Sequence, residues 1–141
     1  MPKENWSSAL NQVAENTALR ATTESDTWQI LLDYSDTFYK CGEGYSWATR
    51  AKNEEVAGQF YRKMAGLAKT FEHKKKLAHI AQERGDETVS KDCINSMIKA
   101  FVVFKDFPVI ETLKRRGRSI LRMLPADDPR RDSIEMHLAS L

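Results

Sequence analysis

Apolar residues recur at spacings of three and four along nearly the whole chain and strictly alternate with polar ones almost nowhere, a pattern that predicts helices and no sheet. Trp6, Leu10, Val13 and Thr17 mark a first, weakly amphipathic helix over residues 5–20. A second follows with Ser25 or Asp26 as N-cap and Trp28, Leu31, Leu32, Ser35, Phe38 and Tyr39 along one face, and Gly42 is expected to stop it. "CGEGYSW" then reads as a turn, and Trp47, Ala48 and Ala51 as a short helical piece.

Asn53 can cap the next helix, with Glu54 and Glu55 at its positive end and Val56, Phe60, Met64, Leu67 and Phe71 in a continuous stripe. Beyond it the apolar side shifts toward Leu77, Ile80 and Ala81, so either one helix bends near Lys74 or two shorter ones meet there, and Gly85 ends the run. Residues 88–105 are apolar around most of the helical circumference, which predicts a sheltered, central helix. "KDFPVIE" connects to the next helix, with Asp106 as a cap and Pro108 where a helix can begin. On that helix Val109, Ile110, Leu113, Gly117, Ile120, Leu121 and Leu124 share one side, and Lys114, Arg115, Arg118 and Arg122 project from the other. Pro125 closes it, and Asp128 with Pro129 starts a last helix. The pattern thus predicts an all-α fold, a compact bundle of six or seven helices in a single domain covering residues 1–141, with a central apolar helix around residues 88–105.

Composition agrees with a folded globule: 41% hydrophobic residues, six Gly and four Pro in 141 residues. No apolar run reaches the roughly 20 residues that cross a bilayer, and "MPKENWSSAL" is polar where a signal peptide needs an apolar segment, so an intracellular protein without membrane contact is expected. Cys41 and Cys93 lie far apart beside apolar residues and are expected as buried free thiols.

The net charge of +2 hides an uneven layout. Residues 1–60 carry five Lys/Arg against nine Asp/Glu, residues 61–122 carry fifteen against seven, and residues 123–141 carry two against four. The basic middle offers a candidate nucleic-acid surface: Lys114, Arg115, Arg118 and Arg122, joined by Lys74, Lys75 and Lys76 if the two runs share a side, would neutralise phosphates without reading sequence. Glu111, one turn before Arg115, pairs part of that charge locally. No aromatic residue interrupts 114–122, so phosphate or duplex contact is expected rather than base stacking. A helix-turn-helix from residues 88–105, "DFP" and the basic helix would lack Asn or Gln for base reading on its second helix.

Chemistry-bearing constellations are sparse. His73 and His79 point about 240° apart on a helix, and Glu72, His79 and Glu83 align without the paired Glu-x-x-His pattern of four-helix metal sites. His137, near Asp132 and Glu135, has no better claim. Phosphate-loop, dinucleotide, nucleophile-elbow and zinc-protease motifs are missing, so neither a catalytic residue, a cofactor, a metal nor a small-molecule substrate is indicated. The aromatic residues concentrate in the acidic first third. There Ile30, Tyr34 and Cys41 widen the stripe of the second helix and, with Tyr45 and Trp47 in the turn, form a candidate patch for a partner protein or a second copy. The expected function is that of a non-enzymatic binding or adaptor protein acting through protein contact or self-association, with nucleic-acid binding through residues 109–124 as the alternative.

Overall fold

The structure, a computed structural model, describes residues 2–103 and 109–141. The expected cap Asp106, the expected helix-starting Pro108 and the last two residues of the expected central helix lie outside the described residues. Among the described residues there are eight helices and no strand, so the all-α expectation holds and the count of six or seven is corrected. The chain divides into two compact units, residues 1–68 and residues 69–141.

The first unit contains α1 (Pro2–Ala18), α2 (Ser25–Asp33), α3 (Phe38–Arg50) and α4 (Glu54–Leu67). α2 starts at Ser25 behind Glu24, which makes no side-chain cap bond, so neither Ser25 nor Asp26 is the cap. The helix expected to run to Gly42 ends instead at Asp33, and "CGEGYSW" is the middle of α3 rather than a turn. Two local bonds set this break. Thr37 caps α3, its side chain accepting from Lys40 N at 3.1 Å, and Ser35 turns fully inward. There Ser35 Oγ donates to the Leu31 carbonyl (2.6 Å) and accepts from Trp6 Nε1 (3.0 Å), so a buried hydroxyl ties α1 to the α2–α3 corner.

Gly42 and Gly44 are buried inside α3 and terminate nothing, and at Gly44 the lack of a side chain serves packing. A Cβ on Gly44 would stand 2.7 Å from Phe60 Cδ1 and closer still to Cε1 and Cζ, so the glycine lets the fully buried Phe60 of α4 lie against the α3 backbone. Asn53 caps α4 as expected, accepting from Val56 N at 3.2 Å. α1 and α3 close alike: Ala21 N donates to Asn16 O and Asn53 N to Ala48 O, with Arg20 (φ 57°) and Lys52 (φ 59°) in the left-handed position that usually selects glycine.

The second unit contains α5 (Phe71–Arg84), α6 (Glu87–Val103), α7 (Ile110–Met123) and α8 (Arg130–Ala139). α4 and α5 are separate helices that meet at residues 68–70, earlier than the expected bend near Lys74, because Thr70 caps α5 by accepting from His73 N at 3.1 Å. Gly85 ends α5 with φ 72°, as expected. α6 packs between α5 and α7. It is less sheltered than its composition suggests, since its buried residues form one stripe, Ser90, Cys93, Ile94, Met97 and Phe101, while Val102 and Val103 are about half exposed (45% and 51%).

Gly117 brings α7 close to its neighbours, for a Cβ there would lie 2.8 Å from Phe101 Cζ and 2.7 Å from Leu138 Cδ2. That contact fixes how α7 is rotated. Leu113, Gly117, Ser119, Ile120 and Met123 face inward, whereas Val109 and Ile110, expected on the buried side, are 71% and 54% exposed. The last turn of α7 is held from α8: Arg131 Nη1 donates to the carbonyls of Leu121 and Leu124. Asp128 caps α8 by accepting from Arg130 N at 2.9 Å, and Arg130 also pairs with its carboxylate at 2.9 Å.

Candidate functional site

α7 is the most sharply two-sided helix of the second unit. With about 100° between successive residues, the buried residues define one half of the helix and leave Arg115, Arg118 and Arg122 exposed on the other, with Lys114 half-buried beside them. The expected local pairing of Arg115 with Glu111 does not form: among the described residues no ion pair engages Arg115, Arg118 or Arg122. The second unit carries fifteen Lys/Arg against eleven Asp/Glu, so these cations add to a positive field rather than relieve a negative one.

Arg116, the fifth cation of the run, behaves differently. It stands three residues after Leu113 and four before Ile120, on the core-facing side, and its guanidinium lies over the Phe71 ring of α5 at 4.8 Å. Lys74 is its counterpart on α5, three residues after Phe71 and three and four before Leu77 and Ala78, all of them buried. Its charge reaches the interior: burial pushes the Cys93 thiol above its ordinary value, and Lys74 opposes that rise.

Lys74 and Arg116 line a common recess of about 500 Å³ together with Lys69 at the start of α5 and Lys99 of α6. The Phe71 ring and Ala100 supply its apolar wall, Thr70 and Ser96 its hydroxyls, and among the described residues no carboxylate belongs to the lining. Of the seven cations expected at a nucleic-acid surface, Lys74 alone lines this recess. Lys75 is half-buried and Lys76 exposed on α5. Arg116, Lys69 and Lys99 were not among the expected cations, although the place of Arg116 between Leu113 and Ile120 is a readable sign that it faces inward.

A second recess of about 670 Å³ lies in the first unit, with Arg20, Arg50 and Lys52 around the buried Trp28. Its cations stand at the C-terminal ends of α1 and α3, where the negative pole of each helix already accounts for positive charge, and Arg50 lies over Trp47 at 4.7 Å.

The expected aromatic patch is not assembled as expected. Ile30 is 42% exposed and Tyr34 half-buried at the end of α2, but Tyr45 and Trp47 sit inside α3 rather than in a turn. Two residues apart on a helix, they point about 200° from each other and cannot share one face. Cys41 is fully buried, its Sγ 3.3 Å from the Ser35 carbonyl, so it adds nothing to a surface, while Tyr39, expected on the apolar face of the second helix, is 68% exposed. Cys41 and Cys93 are both buried free thiols.

Among the described residues no group of three or more His, Cys, Asp or Glu could hold a metal ion, and no helix is long and apolar enough to cross a membrane. No protein-family model, curated protein or solved structure matches the chain.

Proposed function

We propose that the protein is a non-enzymatic binding protein that contacts the phosphate backbone of nucleic acid through the outer face of α7. The observation that carries this reading is the exposure of Arg115, Arg118 and Arg122 on one side of a helix whose opposite side is anchored in the second unit, with no ion pair to a described residue. Guanidinium groups match phosphate oxygens in bidentate geometry, and the helix presents them on a backbone that is already ordered before binding. Contact of this kind positions a partner without selecting a sequence, in keeping with the lack of Asn or Gln on this face.

The test is the fluorescence anisotropy of a short labelled duplex, DNA and RNA in turn, titrated with the full chain at low salt. Saturable binding that Arg115→Glu with Arg118→Glu abolishes while helix content is retained supports the reading, and no binding at low salt ends it.

A protein-contact role has Ile30 and Tyr39 in its favour, two large exposed side chains of the first unit. Self-association through Ile30, Tyr34, Tyr45 or Trp47 predicts a concentration-dependent mass in solution that Tyr34→Glu or Trp47→Ala lowers. A monomer at every concentration, with partner capture unchanged in both variants, removes that role.

A further inference from the structure

The recess between α5, α6 and α7 is separate from the exposed arginines and has its own chemistry. We infer that it binds a phosphate monoester, the dianionic group carried by a phosphorylated small molecule or by the 5′ end of a nucleic-acid strand. Lys74 and Arg116 occupy inward-facing helix positions whose neighbours one turn away are Phe71, Leu77 and Ala78 in one case and Leu113 and Ile120 in the other. Both are half-buried, and half-burying a cation costs free energy that an apolar residue at the same position would not. With Lys69 and Lys99 the lining holds four cations and, among the described residues, no carboxylate, and no ion pair to a described residue engages Lys69, Lys74 or Lys99. Like charges gathered in one recess repel, and an entering anion offsets that repulsion with charge-assisted hydrogen bonds.

Three features narrow the ligand. The recess opens at the first turn of α5, so the positive pole of that helix adds to the cations, as in other phosphate-binding helix starts. The Phe71 ring holds the Arg116 guanidinium at 4.8 Å, which orients a planar fork suited to two oxygens of one group. Its volume of about 500 Å³ falls within the range of small-molecule sites and exceeds what a simple inorganic anion fills. A monoester brings two negative charges and three free oxygens into such a concave site. A diester inside a strand brings one charge and carries bulky substituents on both sides.

The full chain is titrated calorimetrically with inorganic phosphate and with a nucleoside monophosphate, and by anisotropy with one single strand bearing either a 5′-phosphate or a 5′-hydroxyl. Lys74→Gln and Lys99→Gln are measured alongside, with helix content checked for each. Saturable phosphate binding weakened roughly tenfold or more by Lys74→Gln is expected, the loss of one charge-assisted hydrogen bond. A gain for the 5′-phosphorylated strand that vanishes in Lys74→Gln assigns the strand end as the source. Binding of phosphate or mononucleotide without any gain at the strand end assigns a free phosphorylated molecule. The inference is overturned when none of these ligands binds, or when binding is the same in wild type, Lys74→Gln and Lys99→Gln. Inorganic phosphate reads the recess and a 5′-hydroxyl duplex reads the outer face of α7, so failure of one proposal is distinguishable from failure of the other.

Discussion

Replacing Gly44 by alanine tests how α3 and α4 are held together. The new methyl carbon would lie 2.7 Å or less from three carbons of the Phe60 ring, where unstrained carbons stay about 3.5–4.0 Å apart. Phe60 is fully buried, so its ring cannot swing into water, and a shift of about 1 Å must be taken up by α3, α4 or their neighbours. Overpacking of this kind costs about 1–3 kcal/mol, against which alanine returns up to about 1 kcal/mol of helix propensity. A net loss of about 1–2 kcal/mol is expected by urea unfolding followed by circular dichroism. Gly66, in α4 with nothing within 4 Å of its would-be Cβ, is the control: alanine there is expected to gain up to about 1 kcal/mol. Opposite signs for one substitution at two helical glycines, and a smaller Gly44→Ala cost when Phe60 is also changed to Leu, are the expected pattern. Gly44→Ala as stable as the wild type refutes the close α3–α4 approach.

Further outcomes follow from the helix ends and the α7–α8 connection. Lys52→Gly relieves a left-handed backbone at the end of α3 and is expected to raise stability by about 0.5–1 kcal/mol in thermal denaturation, whereas Lys52→Ala is not. Arg131→Ala removes the donor that holds the last carbonyls of α7 and is expected to cost about 1–2 kcal/mol in urea unfolding. The Asp128 carboxyl is lowered to about 2, first by the Arg130 side chain and then by the Arg130 backbone N–H. Its folded-state value lies below its ordinary one, so its contribution is complete above about pH 4 and is lost as pH falls through about 2. Asp128→Asn is accordingly expected to unfold more easily than wild type at neutral pH, with the two unfolding curves converging near pH 2.

What the sequence discloses is local chemistry, and what it withholds is assembly. Asn53 and Gly85 are legible because a cap oxygen and a left-handed residue act on the backbone beside them. Gly44 misleads because the same residue that ends helices also lets them approach, and nothing near "CGEGYSW" announces Phe60 sixteen residues beyond it. Outward placement of Arg115, Arg118 and Arg122 is legible from the spacing of Leu113, Gly117 and Ile120. The exposed start of the helix is not, because buried Ser119 and Met123 turn the stripe away from Ile110, and Val109 stands before the first turn as the extended N-cap. The recess is the extreme case, since Lys69, Lys74, Lys99 and Arg116 meet only when three helices have packed.

The most direct test of the central claim, that α7 grips phosphates, is the salt dependence of duplex binding. Four contacts from Lys114, Arg115, Arg118 and Arg122 predict a slope of log affinity against log salt of about −3.6, roughly a hundredfold loss between 50 and 200 mM. Removing two charges by Arg115→Gln with Arg118→Gln is expected to halve that slope to about −1.8. A slope near zero, or one that these two substitutions leave unchanged, contradicts the account.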